Sequence, residues 1–79
     1  MNVFITKYAL SQGIIESEAR LTSIANMIDA GKRGYFHKGE WFTTREEAEA
    51  NAEHRRAKKI ASLKKQIAKL EALSFTETA

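Results

Sequence analysis

From residue 43 to residue 73, apolar positions recur every three or four residues, and this last third of the chain predicts one long helix. Thr43 followed by Glu46 fits a capping box at its start. Glu46, Glu47, Glu49 and Glu53 fill the N-terminal half. Arg55, Arg56, Lys58, Lys59, Lys64, Lys65 and Lys69 fill the C-terminal half, which is the charge order the helix macrodipole favours. Such a helix rises about 45 Å, more than a compact domain of this size needs. Its stripe is Ala48, Ala52, Arg56, Ile60, Leu63, Ile67 and Leu70. The alanines let the first part lie close to a sheet. The second part has β-branched residues at the a positions and leucine at the d positions, the combination of two-stranded coiled coils. The pattern therefore predicts self-association through Ile60, Leu63, Ile67 and Leu70, against the alternative that these four pack on the chain's own sheet.

Upstream the period changes. Residues 3–10 are rich in β-branched and aromatic types and predict a strand. Ser11-Gln12-Gly13 reads as a turn. Residues 14–21 alternate, with Ile15, Ser17, Ala19 and Leu21 on one face and Glu16, Glu18 and Arg20 on the other, so a hairpin with the first strand is expected. Residues 22–30 fit two readings. Leu21, Ile24, Ala25 and Ile28 make a helical stripe with Gly31 as its stop, while a strand keeps Ile24 and Ile28 together on one face; the strand is preferred. Residues 31–34 read as a loop, 35–37 as a short strand, 38–40 as a turn, and Trp41-Phe42 as the lead into the helix. The expected architecture is α+β: a small antiparallel β-sheet of three or four strands over residues 1–42, one long C-terminal α-helix over 43–73, and a flexible tail over 74–79.

Composition fits one small domain. The chain has 79 residues, 43% hydrophobic and 29% charged, with neither Pro nor Cys. The absence of cysteine rules out disulfides and Cys-based zinc sites. No apolar run approaches the ~20 residues of a membrane span, and MNVFITKYAL is not read as a signal peptide. The net charge of +3 permits anionic partners without requiring them.

Candidate chemistry is sparse. No phosphate-loop, dinucleotide, zinc-protease or nucleophile-elbow motif occurs, so no catalytic, metal or cofactor site is assigned. His37 stands three residues before Glu40, a spacing that suits a local turn bond better than acid–base work. The basic loop Gly31-Lys32-Arg33-Gly34 could cradle a phosphate through its backbone N–H groups, although a solvated loop is the commoner case. Tyr35, Phe36, Trp41 and Phe42 form the densest aromatic cluster. Phe36 and Phe42 are expected in the core, and Tyr35 and Trp41 at the surface as anchors for a partner. In the basic half-helix, Arg55, Lys58, Lys59 and Lys69 are placed roughly on one side, with Lys64 and Lys65 flanking the apolar seam. Arg55, Arg56, Lys58, Lys59 and Lys65 join Tyr35 and Trp41 as candidate partner-binding residues. Facing phosphates, the same cations would give salt-sensitive binding to nucleic acid.

The KYAL-x-x-GI start at residues 7–14, the YFH and WFTTREEA blocks within 35–48, and the KIASLKKQIAKLEAL tail at 59–73 resemble a family of small bacteriophage and prophage proteins. That resemblance implies a non-enzymatic accessory protein in the cytoplasm of a bacterial host. It would act by protein–protein binding, as an inhibitor of a host or defence protein in the manner of an anti-CRISPR protein. A homodimer and a bacterial protein target are the expected partners, with no membrane. Nucleic-acid binding through the basic half-helix, and capture of a small ligand in an oligomer pocket near Tyr35 and Trp41, are the alternatives.

Overall fold

A computed structural model describes residues 1–75. The order of elements is β1 (Asn2–Ile5), α1 (Ala9–Gln12), β2 (Ile15–Glu18), β3 (Arg20–Leu21), β4 (Ile28–Asp29), a 3₁₀ turn (Gly31–Arg33), β5 (Tyr35–Phe36), β6 (Trp41–Phe42) and α2 (Arg45–Ala72). The strands form two small antiparallel sheets, β2-β1-β6 and β3-β4-β5, and one long helix follows them. The class is α+β.

Side-chain alternation along β1 sets the layers. Val3 and Ile5 are fully buried and share a cluster with Ala19, Ile28, Ala30 and Phe36, with Ile15 and Trp41 packed against it. In the register, Val3 stands opposite Ser17, and Ile5 lies between Ile15 and Trp41. This face of the first sheet therefore meets the second sheet. The alternate residues point the other way: the Arg45 guanidinium lies 5.2 Å from the Phe4 ring, and the Thr6 hydroxyl donates to Asn51 Oδ1 at 2.6 Å. That face carries α2. The first sheet is thus the middle layer, with apolar packing on one side and a polar anchor to the helix on the other.

The β1–β2 hairpin forms as expected, antiparallel with Asn2 opposite Glu18 and Ile5 opposite Ile15. The elements are shorter than the pattern predicts. The first strand ends at Ile5, and residues 9–12 coil into one helical turn closed by Gly13, whose N–H donates to Ala9 O at φ +75°. The second strand breaks at Ala19, where the N–H turns to Met1 O at 2.8 Å; Leu21 stays in register with the buried Ile28 and Phe36, but on the edge strand of its sheet nothing covers it and it is 70% exposed. Residues 22–27 are neither strand nor helix, because Thr22 organises them as a turn. Its hydroxyl donates to Ile24 O and Met27 O and accepts from the Ile24 N–H, and Asn26 takes φ +62°. Only Ile28 and Asp29 of that segment pair in a sheet. Trp41-Phe42, read as a lead-in, is a strand on the free side of β1.

The helix starts one residue later than the expected box. Thr44, not Thr43, is the N-cap: its hydroxyl accepts the Glu47 N–H at 3.2 Å and donates to the Glu47 carboxylate at 3.0 Å. Ala48 is fully buried against the sheet, where any larger side chain would hold the helix off. Asn51, Ala52 and Arg55 are half-buried, and residues 56–72 are exposed on every side. The flexible tail expected at 74–79 lies mostly outside the described residues.

Candidate self-association helix

The free part of α2 runs from residue 56 to residue 72, roughly 25 Å at 1.5 Å per residue. It makes the molecule 60 Å long and 25 by 20 Å across, with a radius of gyration of 18.2 Å, against about 12 Å for a compact chain of this length. Beyond α1 beside its first turns, nothing in the domain holds this segment helical. Its composition does: Ala, Lys, Leu, Gln and Ile, with no Gly or Pro. The docked turns at 45–55 supply the nucleus, so the rest need only propagate.

Four large apolar side chains stand open on it. Ile60 is 46% exposed, Leu63 42%, Ile67 54% and Leu70 66%. The intramolecular alternative fails, since none of the four reaches the sheet. The reason is rotational. At about 100° per residue, Ala48, Asn51, Ala52 and Arg55 share the face that docks on the domain, whereas the four Ile and Leu side chains centre roughly a quarter turn around the cylinder. The single stripe read from the sequence is therefore two faces. Glu53 and Arg56 precede the seam in its own register and close it with an ion pair.

Arg55 does not project freely. Its Nε donates to Asn51 Oδ1 and its Nη2 to Gly39 O, both at 2.7 Å, so it clasps the 38–40 turn to the helix. Lys59 and Lys64 border the seam. Lys65, expected to flank it, lies on the opposite side of the cylinder together with Lys58 and Lys69. Among the described residues none of these five lysines is in an ion pair. Leu10 of α1 lies over the start of the free segment, beside Arg55, Lys58, Lys59 and Ser62.

The aromatic candidates divide as well. Phe36 is buried as expected, Phe42 is only half-buried, and Tyr35 is 60% exposed on the outer face of the second sheet, in register with Asp29 and Arg20. Trp41 is half-buried, like Phe42. It packs on the core, and its indole Nε1–H donates to Asn26 O at 3.1 Å. A shallow cavity of about 250 Å³ beside it is lined by Asn26, Lys38, Gly39, Trp41, Phe42, Thr43 and Glu47, and Tyr35 takes no part in it. Alternation along the strand placed Leu21 inside. Leu21 and Ile24, at the free edge of the second sheet and on the adjoining turn, are instead 70% and 56% exposed.

The remaining polar candidates are occupied by local bonds. Glu40 accepts the His37 backbone N–H at 2.8 Å and lies 3.6 Å from Lys7 Nζ, so the imidazole is not its partner. At the basic loop, Asp29 Oδ1 accepts the Gly31 N–H at 2.9 Å, filling with the chain's own carboxylate the position a phosphate would take. Among the described residues no helix is long and apolar enough to cross a membrane. No family model, curated protein or solved structure matches the chain.

Proposed function

We propose that this chain is a non-enzymatic binding protein that works as a homodimer, with a second copy covering Ile60, Leu63, Ile67 and Leu70. One observation carries the reading: a helix of 28 residues projects well beyond its domain and keeps four Ile and Leu side chains on one open face. Those side chains leave on the order of 400 Å² of surface open per copy, and covering both copies at ~25 cal/mol per Å² gives roughly 20 kcal/mol gross. Association costs about 4–15 kcal/mol plus side-chain ordering, and the remainder spans the ~8 kcal/mol of a micromolar dimer. A parallel pair would set Lys59 against Lys64 twice, whereas an antiparallel pair avoids that contact. The antiparallel arrangement is the one we favour.

The resemblance to phage and prophage proteins makes a bacterial host or defence protein the target class. The exposed aromatic at Tyr35 is the anchor we assign to it, with Leu21 and Ile24 nearby in the same sheet region. Light scattering between about 5 and 300 µM tests the dimer. The wild type should pass from monomer to dimer over that range, and Leu63→Glu with Ile67→Glu should stay monomeric throughout. A wild type that is monomeric at 300 µM overturns the reading. Affinity capture from bacterial lysate, repeated with Tyr35→Ala, tests the assignment of the target face: a captured protein whose recovery does not fall in that variant refutes it.

A further inference from the structure

The side of the free helix that faces away from the seam carries a charge pattern that pairing does not use and that the domain meets only where Leu10 of α1 lies beside Lys58 and Ser62. Between Glu53 and Glu71 there is no acidic residue. Around Lys65, at about 100° per residue, the helix presents Lys58, Ala61, Ser62, Ala68, Lys69 and Ala72. All are exposed. The three lysines climb some 16 Å along the axis, comparable to the ~12 Å width of a duplex major groove. Lys65 and Lys69 are four residues apart, a like-charge spacing that weakens an isolated helix slightly. The domain answers none of these cations with a carboxylate; among the described residues its ion pairs involve the Met1 ammonium, Lys7, Arg20, Arg45 and Arg56.

We propose that this face binds the phosphate backbone of double-stranded nucleic acid, without reading its sequence. Charge complementarity selects a polyanion, and the alanines between the lysines let the helix axis come close to it. The side-chain inventory selects the duplex. Single-stranded binding relies on aromatic platforms for unstacked bases, and residues 56–72 contain no aromatic. The face also lacks Arg, Asn and Gln at its centre, the residues that pair bidentately with base edges. It lies about half a turn from the Ile60–Leu70 seam, so it stays open whether or not a second copy is bound.

Fluorescence anisotropy of a labelled 25-base-pair duplex tests this with the full chain. At about 50 mM salt, micromolar binding is expected, and log K should fall linearly with log salt. The variant Lys58→Gln, Lys65→Gln, Lys69→Gln keeps good helix formers and should retain its circular dichroism. It should bind at least tenfold more weakly, with a salt slope smaller by about 2.7, the ~0.9 per phosphate contact times three. Lys32→Gln with Arg33→Gln, on the 3₁₀ turn, should change affinity less than twofold. Leu63→Glu with Ile67→Glu should bind with the same salt slope per chain, which separates this inference from the dimer. Absence of duplex binding at 50 mM salt overturns the proposal, as does a triple variant equal to wild type. Tighter binding to a single strand of equal length, or to phosphatidylglycerol vesicles, would assign the face to a different partner and overturn it too.

Discussion

Asn51 is the residue on which the seating of the helix turns, and its replacement gives an asymmetry that can be measured. One carbonyl oxygen, Asn51 Oδ1, accepts both the Thr6 hydroxyl at 2.6 Å and Arg55 Nε at 2.7 Å. Thr6 is the one buried polar residue among those described. Asn51→Ala strands that hydroxyl, a penalty of ~1–3 kcal/mol, and removes one of the two anchors of Arg55, while alanine's better helix propensity returns about 0.5 kcal/mol. The net loss should be near 2 kcal/mol. Thr6→Val removes the donor and leaves the oxygen paired with Arg55, so it should cost about 1 kcal/mol or less. The double variant has no hydroxyl left to strand and should be no less stable than Asn51→Ala alone, a coupling on the order of 1 kcal/mol. Urea unfolding followed by circular dichroism reads all four proteins, at one fixed concentration because a paired chain gains stability by mass action. Strict additivity, or a Thr6→Val loss equal to that of Asn51→Ala, would refute the bond network as the anchor.

Two further outcomes follow from the same helix. Thr44→Ala should cost about 1 kcal/mol in urea unfolding, because it deletes the acceptor of the Glu47 N–H, whereas Thr43→Ala should be silent. Ala48→Leu should destabilise by ~1–3 kcal/mol through overpacking against the sheet, and Ala61→Leu, on the open part of the same helix, should change thermal stability by less than about 0.5 kcal/mol; equal losses at the two positions would contradict the division of α2.

The helix was legible in the chain because it repeats one signal over many residues, and small shifts at its ends leave that signal intact. The capping pair shows the limit. Thr43 and Thr44 each stand three residues before a glutamate, so the spacing alone allows either, and only the pairing of Phe42 with Phe4 in β6 decides where the strand ends and the cap begins. The strands were harder to place, since several are only two residues long and no period can be read from two residues. What ended them was chemistry outside periodicity: the Thr22 hydroxyl organising 22–27, and the Ala19 N–H turning to the start of the chain. Trp41 was placed at the surface by analogy with interface aromatics. It is half-buried, and its N–H is held by the Asn26 carbonyl, a contact across 15 positions that no local pattern carries.

The drift of the apolar stripe is the most consequential of these differences. Steps of four advance a helix by about 400°, so a run such as Ala48, Ala52, Arg56 and Ile60 gains roughly 40° at each step and walks away from the face on which it began. A stripe that stayed in place would have needed apolar residues at 55, 59, 62 and 66. The chain has Arg55, Lys59, Ser62 and Gln66 there, which removes any reason for the domain to grow along the helix. The apolar residues appear only after the stripe has turned a quarter circle, at a height where the sheets have already ended. Had the seam continued the docked face, a partner would have had to compete with the domain and with α1, which lies over the start of the free segment. Placed to the side, it can be covered by a second helix along its whole length without disturbing the seating held by Ala48, Asn51 and Arg55. The drift therefore separates the work of α2 into a docked half that completes the fold and a free half that faces a partner, and the Ala48 and Ala61 substitutions test that separation at the level of stability.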